Sequence, residues 1–260
     1  MTLSTAEPDS AAASPPAEHA SARFVDINLA RLHQMGMVTH DGGRTPAGEN
    51  FRINKRPLLR SAAGAVACGR KNGNLIVVTS ALPGEGKTFC AINLAMSIAM
   101  EKDHTVLLVD ADVARPSVLK VLGLTNTAGL MDVLLPERRS LADVILKINI
   151  AGLSILPAGR SNKHATELLA SQTMSMLLDE IAGRYPDRIV VFDSPPLLLT
   201  TEAPVLAGQR GPVVLVVESE TTTQHAVKEA LRRLDQCADV NLICNKTRAF
   251  PGDDYCGYYD

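Results

Sequence analysis

Tryptophan is absent from this chain of 260 residues, and aromatic side chains make up only 3% of it. Its core must therefore be aliphatic, and with hydrophobic residues at 46% there is enough for one large α/β domain. Cysteine has no pairing pattern. Cys68, Cys90, Cys237, Cys244 and Cys256 are odd in number and scattered, with no Cys-x-x-Cys spacing. That fits a reduced cytosolic chain better than a disulfide framework or a zinc site. Neither sign of charge dominates: the net charge is −2, so bulk charge favours neither nucleic acid nor an anionic membrane as partner. Long apolar runs are missing too. The most apolar helical stretch, residues 91–100, is too short to span a bilayer and is interrupted by Asn93 and Ser97. The start has no basic region or apolar centre and carries Glu7 and Asp9, so no signal peptide is expected.

Four zones are expected. Residues 1–22 are rich in Ala, Ser, Pro and Glu and read as a disordered leader. Residues 23–60 form a helical segment: a short amphipathic helix near residues 27–32, a break at Gly42-Gly43, and a boundary at Pro57. Residues 61–248 carry the regular α/β pattern, and residues 249–260 form a tail. Within the third zone, buried strands are expected at 75–78, 105–109, 153–156, 189–192, 213–217 and 242–244, with helices at 87–100 and 165–184. Strands alternating with helices imply right-handed crossovers and a mostly parallel, doubly wound sheet, with ligands at the carboxyl ends of the strands.

The first strand runs into Pro83-Gly84-Glu85-Gly86-Lys87-Thr88, followed by Phe89 at the start of a helix. Glycines let backbone N–H groups turn inward, and with the helix N-terminus they make a cradle for phosphate. Lys87 is placed to neutralise phosphate charge and Thr88 to offer a hydroxyl to Mg²⁺. The strict pattern G-x-x-x-x-G-K-[ST] has Ala81 where its first glycine belongs. Two further strands end in acids, Asp110-Ala111-Asp112 and Asp193-Ser194-Pro195-Pro196. Hard carboxylate oxygens suit Mg²⁺, and a third carboxylate beside the metal is a candidate proton acceptor. The residues singled out are Lys87, Asp110, Asp112 and Asp193 for catalysis, with Thr88, Asp112 and Asp193 for the metal; Asp110 is the first choice to orient or deprotonate an attacking hydroxyl, and Asp110 and Asp112 could exchange these roles. Residues 83–89 are expected to bind the cofactor, and Asn245, after the last strand, is a candidate for the adenine base.

At these motifs the chain resembles the bacterial tyrosine kinases, the P-loop autokinases of polysaccharide export. The likeness runs over roughly residues 49–260 and includes Arg115-Pro116 and the terminal tyrosines. It looks closest to the branch associated with exosortase-linked exopolysaccharide clusters. Ala114 holds the place of the family's arginine, and Arg115 follows it. The family's oligomer motif E-x-x-R-x-x-R is met by Glu49 and Arg52, with Lys55 in the last place and Arg56 beside it. The related MinD/ParA ATPases carry a lysine early in the loop, where this chain has Leu82. A positioning ATPase of that class, which hydrolyses ATP without making phosphotyrosine, is the alternative reading, and a nucleotide-binding regulatory subunit is another.

Three of the four tyrosines, Tyr255, Tyr258 and Tyr259, fall within the last six residues, after Pro251-Gly252 and two acids; Tyr185 reads as structural. A mobile terminus of this kind can reach a neighbouring active site. The resemblance implies ATP and Mg²⁺ as cofactors and phosphorylation of these tyrosines in trans within a homo-oligomeric ring, which phosphorylation dissolves. It further implies a separate membrane protein of the chain-length-determinant type as activator, no nucleic-acid partner, and a cytoplasmic protein held at the inner-membrane face through that partner.

Overall fold

The computed structural model describes residues 23–39, 45–68, 72–135, 139–184, 187–208 and 211–247. The leader, Gly42-Gly43, Tyr185, Cys256 and the tail tyrosines lie outside the described residues. The chain opens with β1 (Arg23–Val25), α1 (Leu29–Gln34) and α2 (Pro46–Ala67). The phosphate-loop unit follows as β2 (Leu75–Ser80) and α3 (Lys87–Ala99), then β3 (Thr105–Asp110). Short elements come next: α4 (Val118–Leu122), α5 (Leu130–Leu134), α6 (Leu141–Val144), β4 (Leu146–Ile148) and β5 (Leu153–Leu156). The remainder is α7 (Ala165–Leu169), α8 (Gln172–Arg184), β6 (Arg188–Asp193), α9 (Glu202–Ala207), β7 (Val213–Glu218), α10 (Gln224–Arg232) and β8 (Val240–Asn245).

The eight strands form one sheet in the order β1-β4-β5-β3-β6-β2-β7-β8. Each described pair is parallel except β4 with β5. The strands expected from sequence are all present; the three-residue β1 and β4 are additions, too short for a periodic signal. Pleating sends alternate residues to opposite faces. Ile76, Val78, Val106, Leu108 and Val191 pack with α1, α2 and α3. Leu75, Val77, Leu107, Val109 and Phe192 pack with α5 and α8 on the other face. A third cluster joins Val213 and Leu215 to Ala203, Ala230 and Ala81.

Two expected boundaries are corrected. Pro57 does not interrupt the chain: it lies inside α2, on the exposed side. A proline costs an interior helix one hydrogen bond, and here Phe51, Leu58 and Ala62 bury one stripe of α2 and hold the helix through it. The single helix expected at 165–184 is two. Ala170 ends α7, and the Ser171 hydroxyl accepts the Met174 N–H at 3.2 Å while donating to the Leu168 carbonyl at 2.7 Å. That serine caps a new helix rather than continuing the old one. Among the described residues no helix is long and apolar enough to cross a membrane.

Candidate nucleotide site

The loop after β2 takes its shape from two glycines. Gly84 and Gly86 have φ of 88° and 93°, which a side chain would strain, and Lys87 opens α3 directly after. Ala81, at the place of the missing glycine, is fully buried against Leu197 and Ala203 and is not among the positive-φ residues. A methyl group is therefore tolerated where the strict pattern asks for glycine.

The two acidic strand ends meet the loop because β6 lies between β2 and β3. Lys87 Nζ is 2.8 Å from Asp112 Oδ2 and 3.4 Å from Asp193 Oδ1. Thr88 Oγ1 donates to Asp193 Oδ2 at 2.7 Å and is 2.9 Å from the Ser117 hydroxyl. Asp112 Oδ1 accepts the Arg115 N–H at 3.1 Å. Burial works against the Lys87 charge, but Asp193 and Asp112 outweigh it and hold its pKa above the ordinary lysine value. The same burial pushes the Asp193 carboxyl up, only partly offset by Lys87 and Thr88.

Asp110 is set apart from this cluster. Its Oδ2 accepts the N–H groups of Ser117 and Val118, each at 3.0 Å, and its Oδ1 is buried with no hydrogen-bond partner among the described residues. Burial, reinforced by the negative charge of Asp193, raises its carboxyl to about 7. A cleft of about 570 Å³ opens over the loop, lined by Pro83, Gly84, Gly86, Lys87, Thr88 and Asp112 together with Ala114, Arg115, Ser117, Pro196, Leu199 and Thr200. Asp112 faces this cleft; Asp110 is not part of its lining.

The side chains of three residues expected to touch the cofactor have partners within the fold. Glu85 is buried, with its carboxylate on the Leu82 N–H and the Thr222 hydroxyl. The Phe89 ring lies 6.5 Å from that of Phe51, centre to centre, so only its backbone remains for a phosphate. Asn245 Nδ2 donates to the Glu85 carbonyl at 2.9 Å. On α2, Glu49 and Arg52 pair with each other at 2.6 Å on a half-exposed face. Lys55 is buried, with Nζ 2.6 Å from the Ser97 carbonyl and 2.5 Å from Glu101 Oε1. Ser117, Leu199 and Thr200 were not foreseen. Only a serine preceding a helix signals the first, and nothing local signals the others.

The donor set around Thr88 and Asp193 is all oxygen, and Asp110 is the register partner of Asp193 on the neighbouring strand. Among the described residues no group of three or more His, Cys, Asp or Glu side chains could hold a metal. Mg²⁺ needs no such cluster: it takes one or two carboxylates and fills its shell with water and substrate phosphates, and the Thr88 and Asp193 oxygens are donors of that kind.

The fold and this loop define an α/β nucleotide-binding protein of the P-loop kind, and residues 73–245 match the family model described as AAA domain. The chain is 34% identical over 186 residues to the tyrosine-protein kinase YwqD of Bacillus subtilis, covering 71% of this chain and 76% of that one. The tyrosine-protein kinase Wzc of Salmonella typhimurium is 31% identical over 191 residues, which span 72% of this chain but 26% of Wzc. The kinase domain of Escherichia coli tyrosine kinase ETK superposes with a TM-score of 0.68 at 25% identity, covering 88% of this chain and 90% of that domain. The chain belongs to the family of bacterial tyrosine-protein kinases.

Proposed function

We propose that the protein is an ATP-dependent tyrosine autokinase that phosphorylates its own terminal tyrosines and thereby regulates exopolysaccharide synthesis or export. One observation carries the chemistry: Lys87, Thr88, Asp112 and Asp193, from three separate strand ends, converge beside a phosphate loop at 2.7–3.4 Å. Family membership favours kinase over positioning ATPase, and Leu82 in place of the early lysine points the same way.

The loop N–H groups and Lys87 hold the nucleotide phosphates. Phosphate oxygens arriving there compete with Asp112 and Asp193 for the Lys87 ammonium, which frees Asp112. Thr88 and Asp193 would hold Mg²⁺ through their side-chain oxygens, and the ion would supply positive charge to the nucleotide phosphates. Asp112 faces the cleft and is the better placed of the two acids to accept the tyrosyl proton. The tyrosyl oxygen then bonds to the γ-phosphorus as the bond to ADP breaks. Asp110 anchors the turn before α4 through Ser117 and Val118. Each phosphate adds nearly two negative charges to a tail already holding Asp253, Asp254 and Asp260, and this repulsion loosens the oligomer. A membrane protein of the chain-length-determinant type as activator completes this reading and brings the chain to the inner-membrane face.

Transfer between chains is tested by mixing. Lys87→Met chains, with intact tails, are combined with Tyr255/Tyr258/Tyr259→Phe chains, with intact loops, and given Mg-ATP. Phosphotyrosine on the Lys87→Met chains supports the reading. Its absence, when wild type alone becomes phosphorylated, rules out transfer in trans.

A further inference from the structure

Thr222 lies outside the cleft lining, 137 positions along the chain from Glu85, yet its hydroxyl is the outer end of the phosphate loop's internal support. Its Oγ1 accepts the Glu218 N–H at 3.2 Å and donates to Glu85 Oε1. Accepting on one side leaves its single proton for Glu85, so the hydroxyl has one direction. The other Glu85 oxygen accepts the Leu82 N–H at 2.6 Å. Glu85 is only 2% exposed and has no ion-pair partner among the described residues. A buried carboxylate without a cation depends on its hydrogen bonds, and these are Leu82 within the loop and Thr222 outside it.

A second contact grips the same turn. Asn245 Nδ2 donates to the Glu85 carbonyl, and a Cβ built on Gly86 would lie 2.0 Å from that nitrogen. The Asn245 carbonyl in turn accepts the Ser219 N–H at 2.9 Å, tying together the segments that follow β7 and β8. The phosphate loop is therefore fixed by side chains on two neighbouring strand ends as well as by its own glycines. An anion cradle works only while its N–H groups converge on one point. Glu85 takes the Leu82 N–H for itself and pins the loop's first half.

We propose that Thr222 is a positioning residue for the phosphate loop: acting through Glu85, it fixes the orientation of the N–H groups that receive nucleotide phosphates. The proposal rests on the reading above that the loop holds a nucleotide. Thr222→Val keeps the shape and removes the donor, leaving one Glu85 oxygen buried and unpaired. Glu85 then relaxes, and the Leu82 N–H moves with it.

Titration with a fluorescent ATP analogue and Mg²⁺ tests this on wild type, Thr222→Val and Thr222→Ser, with a urea unfolding midpoint for each. Thr222→Val is expected to weaken nucleotide binding about tenfold, the scale of one lost hydrogen bond to a charged group. Its KM for ATP should rise by a larger factor than its kcat falls. Thr222→Ser, which keeps the donor, should bind within about twofold of wild type. In combination with Glu85→Ala, the valine should add little, because both remove one support. Wild-type affinity in Thr222→Val, failure of serine to rescue, full additivity with Glu85→Ala, or a fall in folding stability matching the lost affinity would each overturn the proposal. A wild-type protein that binds no nucleotide would instead overturn the nucleotide reading, and this proposal with it.

Discussion

Asp110 and Asp193 are register partners at the ends of β3 and β6, two carboxylates side by side in a buried corner. Lys87 hydrogen-bonds Asp193 but not Asp110, whose donors among the described residues are two backbone N–H groups. Double ionisation of the pair is disfavoured, and burial beside the Asp193 charge raises the Asp110 carboxyl to about 7. Between the ordinary value of 3.8 and about 7, the folded chain keeps a proton that the unfolded chain has released. This group's contribution to stability therefore falls as pH rises through that window and is level above it. Asp110→Asn keeps an acceptor for Ser117 and Val118 and removes the titration. Urea unfolding of both proteins from pH 4.5 to 8 should show wild type losing roughly 1–4 kcal/mol relative to the variant as pH rises. A difference that does not change with pH would contradict the assignment.

Gly86→Ala should be damaging for two reasons. The residue has φ of 93°, and the new Cβ would meet Asn245 Nδ2 at 2.0 Å. Backbone strain alone costs about 1–3 kcal/mol, and moving Asn245 releases the Glu85 carbonyl. A thermal midpoint lowered by several degrees, together with lost nucleotide binding, is expected. Gly84→Ala meets nothing within 4 Å and bears only the strain of its φ of 88°. It should be the milder of the two.

Lys55 separates an interface role from a structural one. Its ammonium bonds the Ser97 carbonyl in the last turn of α3, so it fastens α2 to α3 from inside. Lys55→Met should cost roughly 1–3 kcal/mol by leaving that carbonyl unsatisfied. At temperatures where the variant is folded, its size distribution should match wild type. Arg52→Ala, on the half-exposed face, should cost under about 1 kcal/mol in folding and shift the size distribution instead. The reverse pattern by light scattering would place Lys55 at the interface.

Asp112→Asn tests the division of labour between the acids. Asparagine still accepts the Arg115 N–H but neither takes a proton nor balances the Lys87 charge. Phosphotyrosine formation should fall by a factor of about 10²–10⁴, with nucleotide affinity reduced far less. Asp110→Asn should retain most activity at pH 8. Equal losses in both variants would contradict the roles proposed here.

The features legible in the sequence were those whose chemistry is local. Gly84, Gly86, Lys87 and Thr88 announce a phosphate cradle because glycine conformation and side-chain charge act within a few residues. Asp110 and Asp193 follow apolar strands, so their place at the sheet's carboxyl edge could be read directly. The difference between Asp110 and Asp112 could not, because it depends on how the chain turns to bring Ser117 and Val118 back onto Asp110. Nor could the roles of Lys55, Glu85 and Asn245, which are set by Ser97, Thr222 and Gly86 across the fold. Pro57 misled because its local rule is real but weaker than the packing of Phe51 and Leu58 on the core. Ser171 hid a helix break that only its own hydrogen bonds reveal.

The most direct measurement is mass spectrometry of the peptide containing Tyr255, Tyr258 and Tyr259 after incubation with Mg-ATP, in wild type and Lys87→Met, with the cytosolic tail of the proposed membrane activator added if wild type is silent. Phosphate on one or more of these tyrosines in wild type only is the predicted result. An unmodified peptide alongside Lys87-dependent ATP hydrolysis would contradict the autokinase account and favour a positioning ATPase.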